Sequence, residues 1–309
     1  MPTKTKRRYT SSRRPEFKGH IVLTDRDFEL FKLLARYVYL PRDYIQAFVP
    51  PGNTNHMQER LRALTAAGYL HRPEQQWLRP NALARKCIYQ LGARGANALI
   101  DRGFPADPPR ARGNFAHELM AAQIMASVEL GARETGTRLI TWKDIQASDN
   151  FRHAGAARSD KPRYMPVGDG AIAADGEPFG IEHNRHFTFT PGIEADCGTE
   201  TVAPADLARS SIQRKFEAYL RILAHKAHVQ HFGFPPNGFY VPFITTSTAR
   251  MQNMMKLLER MTNGKGSPNI IFKTFPHFAS YEKPPAPSGE MLTGQWQRVW
   301  ATPFRFLTD

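Results

Sequence analysis

Between Pro105 and Arg112 the chain reads PADPPRAR, with no periodic element running through it. Its three prolines fix φ and remove backbone donors, so neither a helix nor a central strand crosses the segment. A linker and a domain boundary are therefore expected there. Charge divides the same way. Residues 1–112 carry 21 Lys and Arg against 9 Asp and Glu, whereas residues 113–309 carry 21 against 19. Most of the net +14 thus sits in the first third, a bias that raises affinity for a polyanion. The spacing predicts a basic arm over 1–20, a first domain over 21–104, a linker over 105–112, a second domain over 113–283 and a partly ordered tail over 284–309.

The arm holds seven Lys and Arg, one Glu and no apolar periodicity, so it is expected to stay disordered until it meets phosphates. Beyond it, Thr24 precedes a helical stripe of Phe28, Leu30, Phe31, Leu33 and Leu34, with Asp27 as a short-armed capping-box partner. Pro41 opens a second helix over 42–48, with Tyr44, Ile45 and Phe48 inward. Pro50, Pro51 and Gly52 make a turn. Met57, Leu61 and Leu64 then stripe a third helix that Gly68 ends. Strands are expected over 69–72 and 83–91, around a polar turn at 73–79, and a short helix over 93–101.

Three helices followed by two short strands is the order of a winged helix-turn-helix, whose third helix enters the major groove. With Met57, Leu61 and Leu64 inward, Asn55, Gln58, Glu59 and Arg62 fall on the outer arc. Asn and Gln can bond adenine bidentately, and Arg can do the same to guanine. Double-stranded DNA is the expected partner, read by Asn55, Gln58 and Arg62 and held through phosphates by Arg7, Arg8, Arg13 and Arg14. The competing use of such a fold is dimerisation, which would make the chain a homodimer.

After the linker the pattern changes. An Ala-rich amphipathic helix is predicted over 115–134, strands over 138–145 and 164–174, and further strand material over 180–182 and 192–196. A strongly helical run over 210–225 follows, then a strand over 239–245, a helix over 249–261 and a strand over 270–275. This is an α/β sandwich order, so the whole chain reads as α+β with an α/β second part.

The runs LTDRDFELFKLLARY, RLRALTAAGYL, HELMAA, GDGAIA and IEADCGTET leading to IQRKFEAYLRIL together resemble the replication-relaxation family of plasmids and other bacterial mobile elements. The resemblance spans roughly residues 21–260 and is most specific over 192–223. It implies that the second part is similar to the PD-(D/E)XK restriction-endonuclease fold, and that the chain binds DNA near replication or transfer functions.

A nuclease of that fold holds Mg²⁺ on two carboxylates and uses a lysine to assist the attacking water. Asp169 matches the first acid and Glu194 the second. The lysine slot, two residues beyond Glu194, holds Asp196 instead, which argues against cleavage. Lys215 on the following helix is the candidate replacement amine, and Glu118 a further metal oxygen. If Asp169, Glu194 and Asp196 converge, their carboxyl groups should lie together and open to solvent. The alternative is structural: acids at strand ends that cap a helix or pair with Arg214 or Lys215.

Other chemistry is poorly supported. His225, His228 and His231 spread over a wide arc of a helix, a poor chelate. Cys87 and Cys197 have no metal-ligand spacing, and Cys197 has no Cys/His signature beside it. There is no Walker loop, no dinucleotide fingerprint and no histidine pair of a nicking relaxase. No apolar run approaches the ~20 residues that span a bilayer, and no apolar stretch follows the basic N-terminus as in a secretory signal. A cytoplasmic protein without a membrane partner is expected. Three functions compete: a DNA-binding protein controlling replication, relaxation or transfer of a mobile element with replication or mobilisation proteins as partners, a Mg²⁺-dependent endonuclease, and a transcriptional repressor.

Overall fold

The structure, a computed structural model, describes residues 19, 21–50, 54–77, 87–106, 114–198, 202, 211–278, 280 and 284–307. Arg7, Arg8, Arg13 and Arg14 lie outside the described residues. Helix and strand are mixed throughout, and the chain divides into two compact units. One is Met1–Leu119 with Ser280–Ala286; the other is Met120–Ala279 with Pro287–Asp309.

The first unit runs α1 (Asp25–Tyr37), β1 (Leu40–Pro41), α2 (Arg42–Phe48), α3 (Thr54–Ala66), β2 (Leu70–His71), β3 (Ile88–Leu91) and α4 (Ala93–Asp101). Thr24 caps α1, and Asp27 returns a carboxylate to the Thr24 backbone, completing the expected capping box. Phe28, Phe31 and Leu34 of α1 and Tyr44, Ile45 and Phe48 of α2 are buried together with Leu61 and Leu64 of α3. Gly68 turns the chain out of α3 at φ +84°, a conformation that favours glycine. The sheet order is β1-β3-β2, antiparallel, with Leu40 opposite Tyr89 and Leu70 opposite Leu91. The two-residue β1 was not foreseen, being too short to show a period. Residues 78–86, where the second predicted strand begins, lie outside the described residues.

The second unit is built on α5 (Phe115–Thr135), whose opening residues are counted with the first unit. Then come β4 (Arg138–Ile140), α6 (Trp142–Ala147), α7 (Asp149–His153), β5 (Met165–Val167), β6 (Gly170–Ile172), β7 (Phe179–His183), β8 (His186–Thr190) and β9 (Glu194–Asp196). The chain continues with α8 (Ile212–Ala224), α9 (Ala227–Phe232), β10 (Val241–Thr245), α10 (Thr248–Met261), β11 (Ile270–Thr274) and α11 (Glu290–Thr293).

Strands β11-β10-β9 are parallel, with Phe243 beside both Phe272 and Glu194. Strands β4-β7-β8 form an antiparallel sheet that joins the first through a bridge between Phe189 and Phe239. Alternation along the strands sorts two cores. Phe243 and Phe272 pack with Phe216 and Tyr219 of α8 and Leu258 of α10. Ala195, Ile244 and Ile271 point the other way, onto Met120, Ile124 and Val128 of α5. The parallel strands thus lie between α5 on one face and α8 with α10 on the other.

Three expectations are corrected. The strand predicted over 138–145 stops at Ile140, because Thr141 and Asp144 form a second capping box and start α6. The strand predicted over 164–174 is a hairpin, turned at Gly168 (φ +56°) and Asp169. The segment from 284 is no loose tail. Met291, Trp296 and Phe306 are buried at 0%, 1% and 5% exposure, and Gln297 exchanges backbone hydrogen bonds with Phe272 at 2.8 and 2.9 Å. Its apolar residues follow no helical or strand period, so periodicity could not reveal them. Strand β8 was also missed, as HFTFT alternates behind a turn that bears no glycine.

Candidate functional site

Helix α3 offers the first candidate surface. Met57, Leu61 and Leu64 are buried, His56, Glu59 and Arg62 are exposed, and Gln58 is half-buried. Asn55 lies in the first turn of the same helix. The inner arc and the part of the outer arc from Gln58 to Arg62 are therefore both present. Arg60 belongs to neither reading. Its Nε donates to Asp27 Oδ1 at 2.9 Å and its Nη2 to Asp27 Oδ2 and to the Val22 carbonyl. Burial alone would raise the Asp27 pKa, but the hydrogen bonds from Arg60 and Thr24 outweigh it and hold the carboxyl below its usual range. Helix α3 is thereby tied to the start of α1, and Arg62 stands two residues beyond the anchor.

The second candidate is a charged cluster under the parallel sheet. Glu194 of β9 and Asp196, two residues on, both face α8 and α10, as the pleat requires. They have different partners. Lys215, on the first turn of α8, places Nζ 2.7 Å from Glu194 Oε2 and 3.6 Å from Asp175 Oδ2. One turn further along α8, Tyr219 donates its hydroxyl to Glu194 Oε1. Asp175, on the connection from β6 to β7, accepts the Ala195 amide at 2.9 Å. Burial drives the Glu194 pKa up to about 7, against the pull of Lys215 and with a push from Asp175. Burial and the neighbouring carboxylate also raise the Tyr219 hydroxyl well above its ordinary value. Such a cluster can hold a proton on Glu194 near neutrality. At 1% exposure, Glu194 cannot touch a phosphodiester without a rearrangement.

Asp196 is occupied elsewhere. Arg250 of α10 grips both its oxygens, with Nη2 to Oδ1 at 2.7 Å, while Thr245 Oγ1 donates to Oδ2 at 2.9 Å and the Gly198 amide to Oδ1 at 3.1 Å. The residue in the lysine slot is therefore a tie between β9, β10 and α10.

The expected convergence of Asp169, Glu194 and Asp196 on open solvent is corrected. Asp169 stands exposed on the β5–β6 turn, while Glu194 and Asp196 are 1% and 4% exposed. Each buried acid is answered by a cation, because a bare carboxylate in that interior would be too costly. Glu118, the third predicted metal oxygen, lies in the first turn of α5, in the first unit. Among the described residues, no three His, Cys, Asp or Glu stand together as a metal site. Lys215 is where a replacement amine was expected, beside Glu194. Asp175, rather than Asp169, is the second acid that Lys215 meets beside Glu194. The signal for it was present, an acid just after the GDGAIA run, but the hairpin turn hid its register. Cys197 sits 3.5 Å from Met120 Sδ, and burial with Asp196 and Asp175 pushes its thiol up to about 11, which suppresses the thiolate a nucleophile needs.

Lys215 also borders a groove of about 480 Å³ between the β5–β6 hairpin and α8. Among the described residues no helix is long and apolar enough to cross a membrane. The family model described as replication-relaxation matches residues 31–237. No curated protein and no solved structure matches the chain.

Proposed function

Because the chain belongs to the replication-relaxation family, we propose that it is a cytoplasmic double-stranded-DNA-binding protein controlling the replication, relaxation or transfer of a plasmid or other mobile element. Its first unit would act as a winged helix-turn-helix and its second as a nuclease-like α/β domain that no longer cuts. The observation that carries this reading is α3, whose apolar side is sunk in the core while Arg62, Glu59 and His56 remain exposed beside Gln58. A helix so anchored presents a fixed edge to base pairs, and the excess cations of residues 1–112 would supply phosphate affinity. The inactive reading of the second unit is supported by the sealed Glu194 and by Arg250 holding the residue in the lysine slot.

A gel shift on duplexes from the origin region of the encoding element tests this, with random duplex as competitor. Preferential retention of one origin fragment is expected, and equal competition by random duplex would overturn sequence-specific control. One observation favours the endonuclease reading: Lys215, Glu194 and Asp175 pair an amine with two carboxylates, the donor set that fold uses. Incubating supercoiled DNA with the chain and Mg²⁺ or Mn²⁺ separates the two. Cutting that Glu194→Gln abolishes would replace the non-cleaving reading.

A further inference from the structure

We infer that the second unit carries a groove of its own for single-stranded DNA, between the β5–β6 hairpin and α8. It uses no residue of α3 and goes beyond the duplex reading of the first unit. Arg214, Lys215, Ala218 and Arg221 form one wall. Arg214, Ala218 and Arg221 follow the i, i+4, i+7 spacing of a single helix face, so the two exposed arginines stand two turns apart, about 10 Å along the axis. The opposite wall is the hairpin, where Gly170 and Ala171 are small enough for a ligand to approach the backbone. Tyr164 stands at the edge with 49% of its surface exposed, and Lys161 Nζ is 5.7 Å from its ring centroid. One acid, Glu217, also borders the groove and accepts a hydrogen bond from Gln213 Nε2 at 3.0 Å.

Cations at intervals along a groove match a phosphodiester backbone, and an exposed ring beside them offers a stacking platform. A duplex keeps its base faces stacked inside and could not use that ring; a single strand can. Val167, Ala171 and Ile172 line the groove with aliphatic side chains. They suit deoxyribose and a thymine methyl, whereas a ribose 2′-hydroxyl calls for a polar partner.

The test is fluorescence anisotropy of the full-length chain with labelled oligo-dT, which forms no duplex, beside a separate duplex probe. Tyr164→Ala should weaken oligo-dT binding at least about fivefold, the lower end of a lost base stack, while Tyr164→Phe retains it. Arg221→Ala should weaken it too and reduce the slope of log K against log salt by about 0.7, one single-strand phosphate contact. Glu217→Gln should tighten binding. All these changes lie on the surface, and thermal unfolding of each variant together with its unchanged duplex binding would show an intact fold. The inference is overturned if the native chain fails to bind oligo-dT, or if Tyr164→Ala and Arg221→Ala bind it as the native chain does. It is equally overturned if oligo-rU binds more tightly, or if Arg62→Ala costs as much oligo-dT affinity as Arg221→Ala, which would place the strand on the first unit.

Discussion

Arg60 and Asp27 stand 33 residues apart and form a two-point ion pair in which one carboxylate caps α1 and anchors α3. Orientation of the exposed arc of α3 thus depends on an acid that is itself only 3% exposed.

Asp27→Ala should therefore destabilise the first unit by about 1–3 kcal/mol, through loss of the cap and of a charge-assisted bond to a buried acid. In the native chain the folded-state pKa of Asp27 is lowered. Its contribution is thus present above the unfolded carboxyl pKa and is lost as pH falls through the lower folded value. Chemical denaturation of native and Asp27→Ala chains should show their difference shrinking only on acidification below about pH 4.

Arg62 and Arg60 are near neighbours with opposite roles. Arg62→Ala should leave stability unchanged and cost about 1–3 kcal/mol on the preferred duplex, with relaxed preference at one base pair. Arg60→Ala should lower the melting temperature. A competition series over single-base operator variants reads the first effect and calorimetry the second. Equal loss for Arg62→Ala on preferred and random duplex would assign it to a phosphate.

Glu194 makes the second unit sensitive to pH in the opposite sense to Asp27. Its folded pKa, about 7, lies above the ordinary 4.5, so the folded state holds a proton that the unfolded state releases more readily. The contribution of that proton to stability is greatest below pH 4.5 and declines as pH rises toward 7, by on the order of 3 kcal/mol at most. Glu194→Gln should flatten that decline in urea titrations between those limits. A variant that kept the native pH slope would assign it to another group.

Asp196→Lys restores the residue that a nuclease of this fold would carry, but it should not restore cleavage. The new amine would face Arg250 in a position where the native residue is 4% exposed, and breaking such a pair costs about 3–5 kcal/mol. Loss of folded protein by circular dichroism is expected. A stable Asp196→Lys chain that cuts DNA with Mg²⁺ would contradict both this expectation and the tie assigned to Asp196.

Trp296→Ala should destabilise the second unit by about 3–5 kcal/mol. The indole is 1% exposed, donates Nε1 to the Met291 carbonyl at 3.3 Å and meets Phe306 edge-on at 5.7 Å. Thermal melts monitored by tryptophan-independent circular dichroism would measure it.

The helices were legible because each carries its own code. Thr24 with Asp27 marks a start, Met57–Leu61–Leu64 marks a face, and Gly68 marks an end, all within a few residues. The candidate cluster was half legible. Glu194 and Lys215 sit in elements whose period is clear, so their meeting could be anticipated from strand pleat and helix turn. Asp175 could not be placed, because its contact with Ala195 depends on a hairpin and two strands whose registers are tertiary facts. Asp196 was misread for a related reason: Arg250 lies 54 residues on, and no local pattern announces a pairing at that distance.

The burial of Met291, Trp296 and Phe306 has a consequence for how the second unit comes into being. During synthesis, the surface of α5 that holds Met120, Ile124 and Val128 emerges from the ribosome more than 150 residues before the side chains that finish its core. Until then that apolar stripe is only partly covered, by residues of β7, β9, β10 and β11, and the rest is available to chaperones or to other nascent chains. Closing that core therefore waits for residues 291–306, whatever has folded before them.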